Sequence, residues 1–93
     1  MKIYQSRLFE KKVKKMTKAE KEVLDREVRN IGENPNIGEE KKGALKGVFV
    51  HKFKLKTDVY LLAYRKCGTD LELVMIGSHE NYYRNLKSYL GSK

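Results

Sequence analysis

The sequence predicts a single α+β domain over residues 1–93, an N-terminal helical hairpin packed on a small antiparallel β-sheet and closed by a short C-terminal helix. Three observations predict it. The first third of the chain repeats apolar residues at helical spacing. After Gly47 the chain changes to runs of β-branched and aromatic residues broken by short turns. Finally, 93 residues suffice for one modest core and little more.

Taken in order, Lys2–Tyr4 reads as a short leading strand. Leu8, Phe9, Val13 and Met16 then recur at helical intervals among Lys11, Lys12, Lys14 and Lys15. Thr17 and Glu20 form a capping-box pair, in which the hydroxyl accepts from the N3 backbone and the carboxylate reaches back. A second helix should therefore begin at Lys18, with Ala19, Val23, Leu24, Val28 and Ile31 as its apolar stripe and Gly32 with Pro35 as its stop. Residues 34–47 hold three of the seven glycines and no periodic pattern, and are expected to be loop. Val48–Leu55, Val59–Arg65 and Leu71–Ile76 follow as a three-stranded meander, the turns between them short enough for hairpins. Gly77 should end the sheet, and His79–Leu90 should form the last helix, carrying Tyr82, Tyr83, Leu86 and Leu90. One sheet face would then be left partly open to a ligand.

Charge narrows the partners. Twenty-one Lys and Arg against 12 Asp and Glu leave +9, a field that favours an anionic partner such as nucleic acid, an anionic membrane surface or an acidic protein. A lysine-rich surface that serves solubility alone has the same composition. No apolar run approaches the length of a membrane span, and the N-terminus lacks a secretory pattern. Cys67 is the single cysteine and can form no internal disulfide, so the expected location is the reducing cytoplasm.

Two places concentrate chemistry. Alternation along the first meander strand puts Phe49, Phe53 and Leu55 on one face, with His51 between them, and Val48, Val50, Lys52 and Lys54 on the other. Lys52 and Lys54 then project together about 7 Å apart, close to the repeat of phosphates in a nucleic-acid strand. Lysines on an exposed strand also discourage edge-to-edge pairing, so the spacing alone leaves both uses open. The second place is Gly77-Ser78-His79-Glu80-Asn81-Tyr82-Tyr83-Arg84, directly after a strand end. Histidine is the side chain whose unperturbed pKa lets it accept and donate protons near neutrality, and tyrosine can bond a phosphate or stack on a base. A histidine at a helix start, with Tyr83, Leu86 and Leu90 as a core stripe, is an equally ordinary structural arrangement.

The order of Pro35, Gly43-Ala44-Leu45-Lys46-Gly47, Lys52-Phe53-Lys54-Leu55, Tyr60-Leu61-Leu62-Ala63-Tyr64 and Ile76-Gly77-Ser78-His79-Glu80-Asn81-Tyr82-Tyr83 resembles toxins of the RelE/ParE superfamily of type II toxin–antitoxin systems. The Gly-Ser-His segment with an aromatic four residues beyond looks like the RNA-cleaving branch. The resemblance implies an endoribonuclease, or mRNA interferase, that cuts mRNA in the ribosomal A site without metal or other cofactor and so inhibits translation. It also implies a cognate antitoxin, expected to lay an acidic amphipathic segment over the basic sheet face. Carried over by position, Lys52 and Lys54 would clamp the phosphate and His79 would act as base or acid. Tyr83 would donate a proton or stack, and Lys46 would touch the RNA backbone. Many RNA-cleaving members have an arginine where this chain has Leu61; Arg65, on the same strand face, and Arg84 are candidates to replace it, and Tyr82 competes with Tyr83 as an RNA contact. Two other readings use the same fold: a ParE-like poison of DNA gyrase that does no chemistry, and a silent nucleic-acid-binding module.

Overall fold

The computed structural model describes residues 2–91. Strand β1 (Ile3–Gln5) leads into helices α1 (Arg7–Lys14) and α2 (Lys18–Glu33), then a short strand β2 (Glu39–Glu40) and a 3-10 turn at Gly43–Leu45. The meander β3 (Val48–Leu55), β4 (Asp58–Cys67) and β5 (Asp70–Ser78) and the helix α3 (Tyr82–Gly91) complete the order.

Both helices of the hairpin start as capping chemistry requires. The Ser6 hydroxyl accepts from the Phe9 N–H at 3.0 Å and donates to the Val74 carbonyl, so one side chain caps α1 and ties it to β5. At α2 the capping box is complete: Thr17 accepts from the Glu20 N–H at 3.2 Å, and the Thr17 N–H donates to the Glu20 carboxylate at 2.8 Å. That backbone bond holds the Glu20 carboxyl below its ordinary value. A carboxyl with a depressed folded pKa stabilises at pH above its unfolded value, and the contribution fades as pH falls through the folded one. Thr17→Ala is expected to cost about 1 kcal/mol, read as a lower urea midpoint at unchanged slope. Gly32, expected as a stop, lies inside α2; the helix runs to Glu33 and is capped at Asn34.

The sheet has five strands in the order β1-β5-β4-β3-β2, two more than the meander. β1 pairs in parallel with β5, Ile3 beside Leu71 and Gln5 beside Leu73. β2, expected to be loop, pairs antiparallel at the opposite edge, with Glu39 beside Val50 and Glu40 beside Phe49. Both hairpin turns have two residues. Gly68 supplies the left-handed residue of the β4–β5 turn (φ 64°), but at β3–β4 that place is taken by Lys56 (φ 61°). Gly38 has a steric reason to be glycine: a Cβ there would lie 2.8 Å from the Tyr64 hydroxyl. That hydroxyl accepts from the Gly38 N–H at 3.0 Å and donates to the Pro35 carbonyl at 2.8 Å, pinning the α2–β2 connection to the sheet.

Burial divides into two cores, one on each sheet face. Phe9, Leu24 and Ile31 from α1 and α2 meet Phe49, Phe53, Leu55, Leu62, Tyr64, Leu71, Leu73 and Ile76. His51 belongs to this helix side, where its Nε2 lies 2.7 Å from the Glu27 carboxylate of α2. On the other face Tyr82 and Leu86 of α3 meet Leu61, Ala63, Val74 and Met75, joined by Leu45, Val48 and Val50. The face expected to be open is therefore partly roofed. Val48 and Val50, expected to point outward beside the lysines, are buried, because α3 and the 3-10 turn supply the apolar partners that a bare sheet face lacks.

Candidate active site

Residues directly opposed on neighbouring strands share a face, so the register lays out the α3 side of the sheet row by row. Lys54 stands beside Val59; Lys52 beside Leu61, which is beside Gly77; Val50 beside Ala63, which is beside Met75; Val48 beside Arg65, which is beside Glu72. Lys52 and Lys54 are exposed while Val48 and Val50 are buried, so the uncovered part of this face begins at Lys52. Gly77 forms the floor where α3 comes down: a Cβ on it would meet the Tyr82 ring at 3.4 Å.

His79 follows Ser78, the last residue of β5, whose partner is Tyr60. One step further along the register puts His79 next to Val59, and a surface depression is lined by Asp58, Val59, Ser78, His79 and Glu80. Lys54 lies on the other side of Val59. Two strand spacings thus separate the Lys54 and His79 backbones, roughly 10 Å. The His79 side chain is exposed, and among the described residues nothing pairs with it.

Tyr83 is half-buried on the first turn of α3, its ring edge-on to Tyr82 at 5.7 Å between centroids. The Lys41 ammonium lies 4.9 Å from the centre of the Tyr83 ring. Lys41 is also ion-paired with Glu39, which flanks Val50 on this face. Glu39 first, and the Tyr83 hydroxyl after it, hold the Lys41 ammonium above the ordinary lysine value; Lys41 first, and Lys52 at longer range, hold Glu39 below the ordinary carboxyl value. Tyr83 is thereby linked to the strand lysines through Lys41 and Glu39. Neither was expected in the site. Strand pairing of the charged Glu39-Glu40 pair was the missing signal, since it brings the 39–42 segment against β3. Lys46 is exposed at the end of the 3-10 turn and lines a depression with Glu40, Lys41, Lys42 and Gly43. Arg84 is exposed on the first turn of α3.

Two expectations are corrected. Tyr82 is 1 % exposed and donates from its hydroxyl to the Met75 carbonyl at 2.6 Å; burial pushes the phenol far above its ordinary pKa. It is a core residue, not an RNA contact. Tyr82→Phe should therefore cost about 1–3 kcal/mol by stranding a buried acceptor, seen as a lower unfolding midpoint. Arg65 does not supply the cation missing at Leu61. Its Nε and Nη2 both donate to Glu72, at 2.9 and 2.7 Å, and it sits four residues, about 13 Å, along β4 from Leu61. Among the described residues no group of three or more His, Cys, Asp or Glu is arranged to hold a metal ion, and no helix is long and apolar enough to cross a membrane.

Residues 3–87 match the model of a family described as ParE-like toxin of type II bacterial toxin–antitoxin systems. The chain belongs to that family. It is a type II toxin of RelE/ParE fold. The fold is also that of E. coli RelE. The intact E. coli RelBE toxin–antitoxin complex matches with 20% identity and a TM-score of 0.68, over 85% of this chain and 96% of that one. The isolated E. coli RelE toxin matches with 19% identity and a TM-score of 0.65, over 95% of this chain and 97% of that one. A double mutant of E. coli RelE in the free state matches with 18% identity and a TM-score of 0.71, over 95% and 93% of the two chains. No curated protein matches the sequence.

Proposed function

We propose that this ParE-like toxin is a metal-independent endoribonuclease that cuts mRNA, with the ribosome as the place of attack. The observation that carries the reading is the exposed His79, which lines a depression with Val59, the strand neighbour of Lys54. In the proposed reaction a base takes the ribose 2′-hydroxyl proton and the 2′-oxygen bonds to the adjacent phosphorus. The bond from phosphorus to the 5′-oxygen breaks, and an acid protonates that oxygen. A 2′,3′-cyclic phosphate and a 5′-hydroxyl result. His79 is the proton carrier; the Lys52 and Lys54 ammonium groups stabilise the charge that builds on the phosphorane. Tyr83, steadied by Lys41, offers a ring for a flanking base. Lys46 and Arg84, both exposed, extend the RNA path.

The proposed partner is a cognate acidic antitoxin that covers the Lys52–Lys54 face; RelE itself was solved in complex with its antitoxin. The family's ParE-like description favours one second reading, a gyrase poison without chemistry. Induction in cells with mapping of mRNA 5′ ends separates them. Prompt cuts in translated messages, absent from His79→Ala and Lys52→Ala, are expected for the nuclease. Growth arrest with intact messages, lost supercoiling and fully toxic variants would instead identify gyrase as the target.

A further inference from the structure

The excess charge does not reside chiefly at the candidate site. Between Arg7 and Lys21 there are seven basic side chains, Arg7, Lys11, Lys12, Lys14, Lys15, Lys18 and Lys21, against only Glu10 and Glu20. Five of the nine excess charges thus belong to α1 and the entry of α2. All seven cations are exposed. The acids hardly offset them: Glu20 is committed to the Thr17 backbone, and Glu10 meets only Lys14, at 3.7 Å. At 100° per residue Arg7, Lys11, Lys14 and Lys15 share one side of α1, opposite Phe9, Val13 and Met16. The apolar side packs in the α2-side core. The basic stripe therefore faces solvent on the opposite side of the sheet from Lys52 and Lys54.

We infer that this stripe is a second nucleic-acid surface, which grips the phosphate backbone of a duplex segment in the folded RNA that presents the strand to be cut. The inference rests on the ribonuclease reading for the choice of RNA. Three features select this occupant. Lysines three and four residues apart stand about 5–6 Å from one another at Cβ, close to the repeat of backbone phosphates, and can neutralise several of them at once. The outward arc of α1 carries no aromatic side chain, so it has no platform for unpaired bases, which single-strand binding uses. Its apolar stripe is already spent in the core, so the helix has no face left to insert into a lipid surface. A rigid two-site grip explains why cations were placed where they cannot reach the reacting phosphate.

The test is Lys11→Gln, Lys14→Gln and Lys15→Gln combined in the full chain, with circular dichroism confirming the fold. Binding is measured by fluorescence anisotropy across a salt series, to a labelled RNA duplex of about 20 base pairs, to a single strand of the same sequence, and to phosphatidylglycerol vesicles. The expected result is duplex binding weakened at least tenfold, with the slope of log K against log salt shallower by about 2–3, near one unit for each phosphate no longer neutralised. Cleavage of a short single-stranded RNA should be unchanged. Duplex affinity and slope equal to wild type would overturn the inference, as would vesicle binding that exceeds duplex binding and is abolished in the variant. Failure of the ribonuclease reading looks different: wild type that binds the duplex through these lysines but cuts no RNA removes the nuclease and leaves the surface standing.

Discussion

His79→Ala is expected to slow RNA cleavage by about 10²–10⁴-fold, the usual contribution of one positioned acid or base, while the urea midpoint stays within the scatter of surface substitutions. The second half follows from exposure: His79 is solvent-facing and pairs with no described residue, so its removal breaks no bond that holds the fold. Lys52→Ala should cost about 10²–10³-fold if its ammonium meets charge that develops only in the transition state. The combined variant discriminates further. Groups that act on one step do not add, so a double loss well short of the product of the singles places both at one phosphate. Multiplicative losses would assign Lys52 to RNA binding and take it out of the reaction. Single-turnover rates on a defined oligonucleotide, beside binding of a 2′-deoxy analogue, read the two effects separately.

The largest expected effect on stability is at Phe9, the one fully buried side chain of the eight-residue α1, 2 % exposed. Phe9→Ala should cost about 3–5 kcal/mol through reduced burial and the cavity left under the helix. Small domains hold only about 5–15 kcal/mol in total, so this one change takes a large share. Urea denaturation at an unchanged slope checks it. A cost below about 1 kcal/mol would mean that α1 is held to the sheet by Ser6 and β1 alone.

Where one residue determines the local structure, the sequence is legible. Thr17 and Glu20 mark the start of α2 because the capping box is a local bond pattern, and it forms as expected. Val48–Leu55 reads correctly as β3 because alternation is local too. What a neighbour on another strand decides is not legible. Glu39-Glu40 carries no strand propensity and pairs only because β3 offers an edge. Arg65 looks like an available cation until the register places Glu72 beside it; the hairpin spacing could have shown that, since counting back from the two-residue turn sets Cys67 against Asp70 and Arg65 against Glu72. Tyr82 and Tyr83 are consecutive, and helical periodicity does not say which turns inward until the contact with Gly77 is known. The Lys41–Tyr83 contact joins a loop to a helix across 42 positions of sequence, beyond any local pattern.

The parallel pairing of β1 with β5 has a consequence for synthesis. Ile3 and Leu71 are neighbours in space, and the Ser6 hydroxyl that caps α1 rests on Val74. During translation the first strand therefore waits unpaired until the last one has emerged, and the contact that seats α1 waits with it. Such distant closures are slow compared with helix formation. A nascent chain stalled before the β5 codons has its basic hairpin already outside the exit tunnel but lacks the sheet that carries His79. Full assembly of the core beneath α1 thus waits for β5, however fast the helical hairpin itself forms.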